Sequence, residues 1–358
     1  MKSKLHIAVA GAGMIGRRHI DLVRSSRACS LSAIADPAPA ALEIARQAGV
    51  PLYPAVEDLL AAERLDGVIL ATPNQLHVQN ALDCIKAGVA ALIEKPVAHT
   101  VEEGVRLCKA AESAGAKLLV GHHRRHSPIM ARAREIVRAG VLGRIVAVQG
   151  SAMYYKPDGY FGEAPWRCQP GGGPILINLI HEVDNMRMLC GDIEAVQAFS
   201  SNTVRGFQVE DTAAITLRFA SGALGTFLLS DSVVSAKSWE QTSRENTSYA
   251  TCPDEDCYVV AGTKGSLGVP TMRLKTYATD EDRSWWKPFQ TTVVDVSRAD
   301  PLERQLDHFC ALIRGEVQPV VTVQDGLQNV RIIDAISESA RTGRVVNLAP
   351  CARGDRTL

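Results

Sequence analysis

The first third of the chain alternates short apolar runs with longer stretches of helical spacing. Leu5–Ala10, Leu31–Ala35, Gly67–Ala71, Ala90–Ile93 and Lys117–Gly121 are short, mostly apolar runs without period-two alternation. That is the pattern of parallel strands buried on both faces. Helical spacing follows the first run to about Arg24 and recurs over 39–49, 55–62, 75–87 and 101–114, with Gly49 and Gly88 placed as helix stops. Strands alternating with helices predict a doubly wound parallel sheet.

The second half reads differently. Residues 145–154 are extended and partly alternating. Thr212–Phe219 and Leu224–Leu229 flank Ser221-Gly222, a hairpin signal, and 257–261 and 266–269 flank the turn Gly262–Gly265. Further strands are predicted over 273–277 and 291–296, and helices over 301–314 and 323–342. The polar stretch Val234–Glu255, with Trp239 and Tyr249, reads as a long loop.

Composition narrows the class. At 358 residues, 46% hydrophobic and 22% charged, the chain suits a globular protein of two domains. Lys+Arg and Asp+Glu balance at 39 each, so no net field draws nucleic acid or anionic lipid. No apolar run approaches the roughly 20 residues needed to span a bilayer. The start Met1–Lys4 has a superficial likeness to a signal peptide, but the glycine turn that follows fits a first strand better. Nine cysteines without framework spacing predict reduced thiols and a cytoplasmic location. Cys252 and Cys257 lack a second ligand pair, and His122, His123 and His126 lack a completing carboxylate or cysteine, so no metal is expected.

The candidate chemistry begins at Gly11-Ala12-Gly13-Met14-Ile15-Gly16, which stands between a predicted strand and a predicted helix. In that context the glycines permit a tight turn, close approach of backbone to a pyrophosphate and close helix packing, while the helix start supplies partial positive charge. Asp36, twenty residues after Gly16, ends the second strand where a carboxylate can accept from adenosine ribose hydroxyls. The run ending in Glu94-Lys95-Pro96 must stop at Pro96, which cannot donate to a ladder, and so delivers Lys95 to the carboxyl edge of the sheet. The abrupt stop predicts a cis or tightly turned Lys95–Pro96 bond.

The glycine turn, Thr72-Pro73-Asn74-Gln75-Leu76-His77, Glu94-Lys95-Pro96, the segment Gly121–Pro128, and Gly171-Gly172-Gly173 followed by His181 and Asp184 together resemble the glucose–fructose oxidoreductase/inositol dehydrogenase/MocA family over essentially the whole chain. The resemblance implies a Rossmann dinucleotide-binding domain over 1–122 and an α/β substrate-binding and oligomerisation domain with a large, mostly antiparallel open sheet over 123–348, with 349–358 as a tail. It implies a homodimer or homotetramer and NAD(P)-dependent dehydrogenation of a CH–OH group on a sugar, sugar acid, cyclitol or cyclic diol. Two alternatives are an NAD-dependent glycosidase working through transient oxidation and a catalytically silent dinucleotide sensor. NAD is expected over NADP because Asp36 would repel a 2′-phosphate. Gly11, Gly13, Met14, Ile15, Gly16, Asp36, Thr72, Pro73, Asn74, His77, Glu94, Lys95 and Pro96 form the expected cofactor site.

For the substrate, residues 174–189 form a predicted helix on which Asn178, His181, Glu182 and Asn185 fall at i, i+3, i+4 and i+7 as one polar stripe. A solvent-facing stripe and a site both fit that periodicity. The match to the second-domain signature favours a site, with His181 as general base. Many alcohol-oxidising relatives carry an aspartate four residues before this histidine; here Ile177 stands there, so Glu182 or Asp184 is the candidate substitute. Lys95 is read as hydrogen-bond partner and proton shuttle. His123, Tyr154, Lys156, Tyr160, Trp166, Arg167 and Asn178 complete the expected substrate site, and the Lys–Arg pair hints at a carboxylated substrate.

Overall fold

The computed structural model describes residues 3–349, and these divide into two compact units, 3–126 with 301–330 and 127–300 with 331–349. In the first unit the order is β1 (Leu5–Ala10), α1 (Met14–Ser25), β2 (Cys29–Ala35), α2 (Ala40–Ala48), β3 (Leu52–Tyr53), α3 (Val56–Ala62), β4 (Gly67–Leu70), α4 (His77–Ala87), β5 (Ala90–Ile93), α5 (Val101–Ala114) and β6 (Leu118–Val120). The six strands form one parallel sheet in the order β3-β2-β1-β4-β5-β6. The fully apolar β4 and β5 are buried along their whole length, as helices on both faces require.

The register decides where the chemistry lies. Ala35 pairs with Ala10, Ala10 with Leu70, Leu70 with Ile93, and Ile93 with Val120. The strands thus end level, and the residues that follow them are delivered to one edge. Gly11, Asp36, Thr72, Glu94, Lys95 and His123 all follow strand ends on that edge. The strand order reverses between β1 and β4, the kind of crevice at which open α/β sheets bind ligands. The Lys95–Pro96 bond is cis.

The helix Pro301–Ile313 belongs with this unit, not with the second domain that the sequence reading assigned it to. Leu306, Phe309, Cys310 and Leu312 join Ile7, Val9, Ile20, Val23 and Ile69 in one core. Gly67 explains the fit: a Cβ there would come within 2.8 Å of Ile313 Cδ1 and 2.9 Å of Phe309 Cζ, so the missing side chain is the socket for this helix. Amphipathic spacing marked the helix but not the surface that receives it.

The second unit contains α6 (Pro128–Arg138), β7 (Ile145–Met153), the short α7 (Asp158–Gly162), α8 (Ile180–Cys190), β8 (Ile193–Ser201), β9 (Thr212–Phe219), β10 (Leu224–Ser230), β11 (Tyr258–Gly262), β12 (Gly265–Val269), β13 (Arg273–Thr276), β14 (Gln290–Val293) and β15 (Val346–Asn347). Its nine strands follow the order β14-β13-β12-β11-β7-β10-β9-β8-β15, with β7–β10 parallel and every other pair antiparallel. β9 and β10 alternate buried and exposed positions, so one face is covered. The sequence reading had no element for α6 or β8. The expected loop 234–255 contains the short helix Trp239–Thr242, with Trp239, Ser238 and Ser243 buried. Nearly all of the predicted tail, 349–358, lies outside the described residues.

Among the described residues no helix is long and apolar enough to cross a membrane, and no group of three or more His, Cys, Asp or Glu side chains could hold a metal ion.

Phe309→Ala should leave a cavity above Gly67 and lower the stability of the first unit by about 3–5 kcal/mol, the usual range for a buried aromatic truncation. Denaturant unfolding of the variant checks this; a loss below about 1 kcal/mol would contradict the socket.

Candidate active site

Each glycine of the first turn has a separate physical task. Gly11 is at φ +91°, and a Cβ on it would lie 2.3 Å from the carbonyl oxygen of Ala71. At Gly16 a Cβ would lie 1.9 Å from the carbonyl oxygen of Gly11, so α1 could not close onto the strand. Gly13 is the exception, since a Cβ there meets no atom of the protein within 4 Å. Space that the fold leaves open above backbone N–H groups is what a pyrophosphate needs. α1 begins there with neither a side-chain cap nor an acidic residue in its first turn, and Met14 is 68% exposed. The residues present therefore fit a dinucleotide.

Asp36 accepts from Ala12 N–H through Oδ2 at 2.7 Å and from Ala38 N–H through Oδ1 at 2.7 Å. Its carboxylate is thereby fixed beside the glycine turn, and each oxygen keeps a lone pair for another donor.

Next along the edge, His77 is buried rather than exposed at a helix start. Its Nδ1 lies 2.7 Å from the carbonyl oxygen of Pro96 and its Nε2 2.8 Å from that of Thr72. The ring clamps the loop after β4 to the loop after β5. Burial pushes its pKa below the usual value, against the pull of the two carbonyls. Asn80 donates to the Thr72 hydroxyl at 3.1 Å, while Asn74 is half-buried and Pro73 exposed in the turn before α4.

Glu94 lies beneath these loops, almost wholly buried. Its Oε1 is 2.9 Å from His19 Nε2 on α1, and its Oε2 accepts from the Lys95 N–H at 3.1 Å. Burial works to raise this carboxyl's pKa. The hydrogen bond and charge of His19, with Lys95 and His123 beyond, outweigh it and hold the group at about 2. His19 was missed from sequence, since a lone histidine one turn into a helix carries no pattern. Lys95 and His123 are half-buried at the same edge.

In the second unit, alternation past the strand ends brings polar residues onto the covered face. Val148, Gly150 and Ala152 point inward on β7, and the same phase continues to Tyr154 and Lys156; Phe227 and Leu229 on β10 continue to Asp231. Lys156 Nζ donates to Asn178 Oδ1 at 2.8 Å and sits 3.3 Å from Asp231 Oδ2. Arg205 Nε takes the other Asp231 oxygen at 2.9 Å. Burial pushes the Lys156 pKa down, and Asp231 opposes it. Lys156 Nζ lies 5.0 Å from the centroid of the Tyr160 ring and 5.8 Å from that of Tyr154, and the Arg167 guanidinium 3.7 Å from that of Tyr160. Trp166 is exposed, with Arg167 6.0 Å from its ring centroid. Tyr154, Lys156, Tyr160, Arg167 and Asn178 thus come together. Asp231 and Arg205 were missed, although the phase of β10 could have placed Asp231.

The predicted helix over 174–189 is a π-helical turn, Ile175–Leu179, followed by α8. All of α8 is buried, His181 included, so a solvent-facing stripe does not exist. Glu182 accepts from the Tyr258 hydroxyl, and Asn185 donates to the same oxygen at 3.0 Å. Half the stripe therefore anchors α8 to β11 through Tyr258. Glu210, also unnoticed in the sequence, accepts from Ile175 N–H at 2.7 Å and fills the place where a Gly173 side chain would be.

Residues 5–122 match the oxidoreductase family with an NAD-binding Rossmann fold, and residues 130–268 match the GFO/IDH/MocA C-terminal domain. The chain belongs to the GFO/IDH/MocA oxidoreductase family. Among its members, 1,5-anhydro-D-fructose reductase of Ensifer adhaerens is 29% identical over 82% of this chain and 83% of its own. Inositol 2-dehydrogenase of Rhizobium meliloti is 25% identical over 96% and 99%. The solved WlbA dehydrogenase of Bordetella pertussis, in complex with NADH and UDP-GlcNAcA, superposes with a TM-score of 0.77 at 25% identity, covering 97% of this chain and 100% of that one. In this GFO/IDH/MocA chain the glycine turn, Asp36 and the Glu94–Lys95 edge all lie within the Rossmann match, and the Lys156–Asn178–His181 region within the C-terminal match.

Gly13→Ala and Gly16→Ala should separate cofactor binding from folding. The first adds a methyl to open space and should leave the melting temperature within about 2 °C while weakening dinucleotide binding at least about tenfold. The second collides with backbone and should destabilise the unit by more than about 2 kcal/mol. Thermal melts beside dinucleotide titrations decide; unchanged affinity in Gly13→Ala would show that the open space is not the phosphate site.

Proposed function

We propose that this protein is an NAD-dependent dehydrogenase that oxidises or reduces a CH–OH centre on a sugar, polyol or cyclitol. The observation that carries the reading is the level carboxyl edge of the first sheet. There a glycine turn with open space above Gly13, a fixed Asp36 and Lys95 are assembled together. The relatives named as sugar reductase and inositol dehydrogenase support the substrate class.

NAD supplies the hydride acceptor when bound. Gly11–Gly16 and the start of α1 hold its pyrophosphate, Asp36 its ribose hydroxyls, and Thr72, Pro73 and Asn74 line the path toward the reacting end. Lys95 hydrogen-bonds the reacting substrate oxygen, and His181 receives the proton that must leave when the hydride does. Glu94 positions Lys95 by holding its backbone N–H. It also keeps a fixed negative charge next to the ammonium. Asn178 orients substrate through its amide N–H, because its oxygen is already taken by Lys156.

NAD should bind more tightly than NADP. Asp36 cannot swing away from a 2′-phosphate while both its oxygens hold backbone N–H groups. Like charges about 4 Å apart repel by roughly 1–4 kcal/mol in a wet site, which corresponds to roughly five- to several-hundred-fold discrimination. Paired titrations with the two cofactors measure it, and equal affinities would overturn this role for Asp36.

A screen of aldoses, cyclitols and sugar acids for NADH formation tests the activity itself. On the best substrate, Lys95→Ala and His181→Ala should each lower kcat by about 10²–10⁴-fold while changing NAD affinity much less. A His181→Ala enzyme with undiminished kcat would place the base elsewhere.

A further inference from the structure

Three cations, Lys156, Arg167 and Arg205, gather around Tyr160 and Asp231. Lys156 and Arg205 share the two oxygens of the buried Asp231, and Arg205 also reaches the exposed Asp158 at 3.7 Å. Arg167 makes no ion pair among the described residues. One of its five N–H donors bonds the carbonyl oxygen of Tyr160 and its plane lies against the Tyr160 ring, which leaves most of the fork unspent. The same ring is 5.0 Å from Lys156 Nζ, so a second cation stands close by. Glu210 is the other carboxyl within electrostatic reach of Lys156; it is occupied by Ile175 N–H, and burial raises its pKa. A half-buried guanidinium stacked on an aromatic ring is pre-organised for a planar, bidentate anion.

We propose that Arg167 is the specificity-determining residue for a carboxylate on the substrate, so that the enzyme acts on hydroxy acids of the uronate or aldonate kind rather than on neutral sugars. Lys156 supports this electrostatically, and its bond to Asn178 Oδ1 turns the Asn178 N–H group outward as a donor for a neighbouring substrate oxygen. The inference rests on the sugar-like substrate class proposed above. It commits to a carboxylate among anions because the fork and the adjacent ring are planar, like the group they would receive.

Trp166, beside Arg167, makes binding measurable without turnover. The full chain saturated with NAD is titrated by tryptophan fluorescence with matched sets: an aldose, its uronate, its aldonate and its sugar phosphate, in gluco and galacto series. The expected result is that at least one carboxylate binds about tenfold or more tightly than its neutral counterpart, as loss of a charge-assisted bidentate pair would imply. In Arg167→Gln that ratio should fall below about threefold while the neutral sugar's affinity stays put. Three results would overturn the proposal: equal binding of acid and neutral sugar in every set, tighter binding of the phosphate than of either acid, or an Arg167→Gln variant that weakens acid and neutral sugar alike. The last would mark Arg167 as structural. Steady-state assays separate this inference from the broader reading. NADH formation with neutral sugars and no preference for acids defeats only the carboxylate role. No NADH formation with any hydroxylated compound defeats the dehydrogenase reading, while the fluorescence ratio still reports on Arg167.

Discussion

A carboxylate taken out of water beneath the ligand-binding edge of the first sheet sets the terms for that unit. Isolated in an apolar interior, Glu94 would neutralise itself rather than carry its charge at such cost. It stays ionised because His19 meets one oxygen and the Lys95 N–H meets the other. Those two bonds join α1, which starts at the glycine turn, to Lys95 at the end of β5. Helix entry, strand end and Lys95 therefore cannot shift independently. His77 adds a second tie between neighbouring loops by spanning the Thr72 and Pro96 carbonyls. A hydride-transfer site needs groups held within fractions of an ångström, and buried charge-assisted bonds are a rigid means of doing so.

The second unit uses the same rule on a different scaffold. Along β7 and β10 the inward-facing phase is apolar until the strand ends, where it becomes Lys156 and Asp231. These charges are desolvated, and they persist because Asp231 is shared between Lys156 and Arg205. Tyr258, facing inward on β11, ties Glu182 and Asn185 of α8 to the sheet and fixes the helix that carries His181. The π turn before α8 changes the phase of the chain ahead of it, so Asn178 meets Lys156 while Glu182 and Asn185 meet Tyr258.

What was legible followed from how local the signal is. α5 runs over Val101–Ala114, as its spacing predicts, and the structure adds a Thr100 cap at its start and Gly115 at its end. β9 was equally plain because strict alternation and the Ser221-Gly222 turn are both short-range. β3 has only two residues and exists because β2 offers it a partner, so nothing in its own sequence announces it. β8 mixes apolar and polar residues weakly and is held by pairing with both β9 and β15. The helix Pro301–Ile313 was readable as a helix, but its address was not, since the socket at Gly67 lies far away in sequence.

The sequence by itself determined the Rossmann topology, the glycine turn with Asp36, the delivery of Lys95 to the sheet edge and the family to which the chain belongs. Each of these rests on periodicity, on glycine and proline stereochemistry or on fixed spacing, all properties of neighbouring residues. Tertiary structure alone decided that Glu94 is paired with His19, that His77 is a clamp, that Glu182 serves Tyr258, and that Asp231 is divided between two cations. Those choices depend on which polar groups become desolvated together, and burial is settled only when distant segments pack.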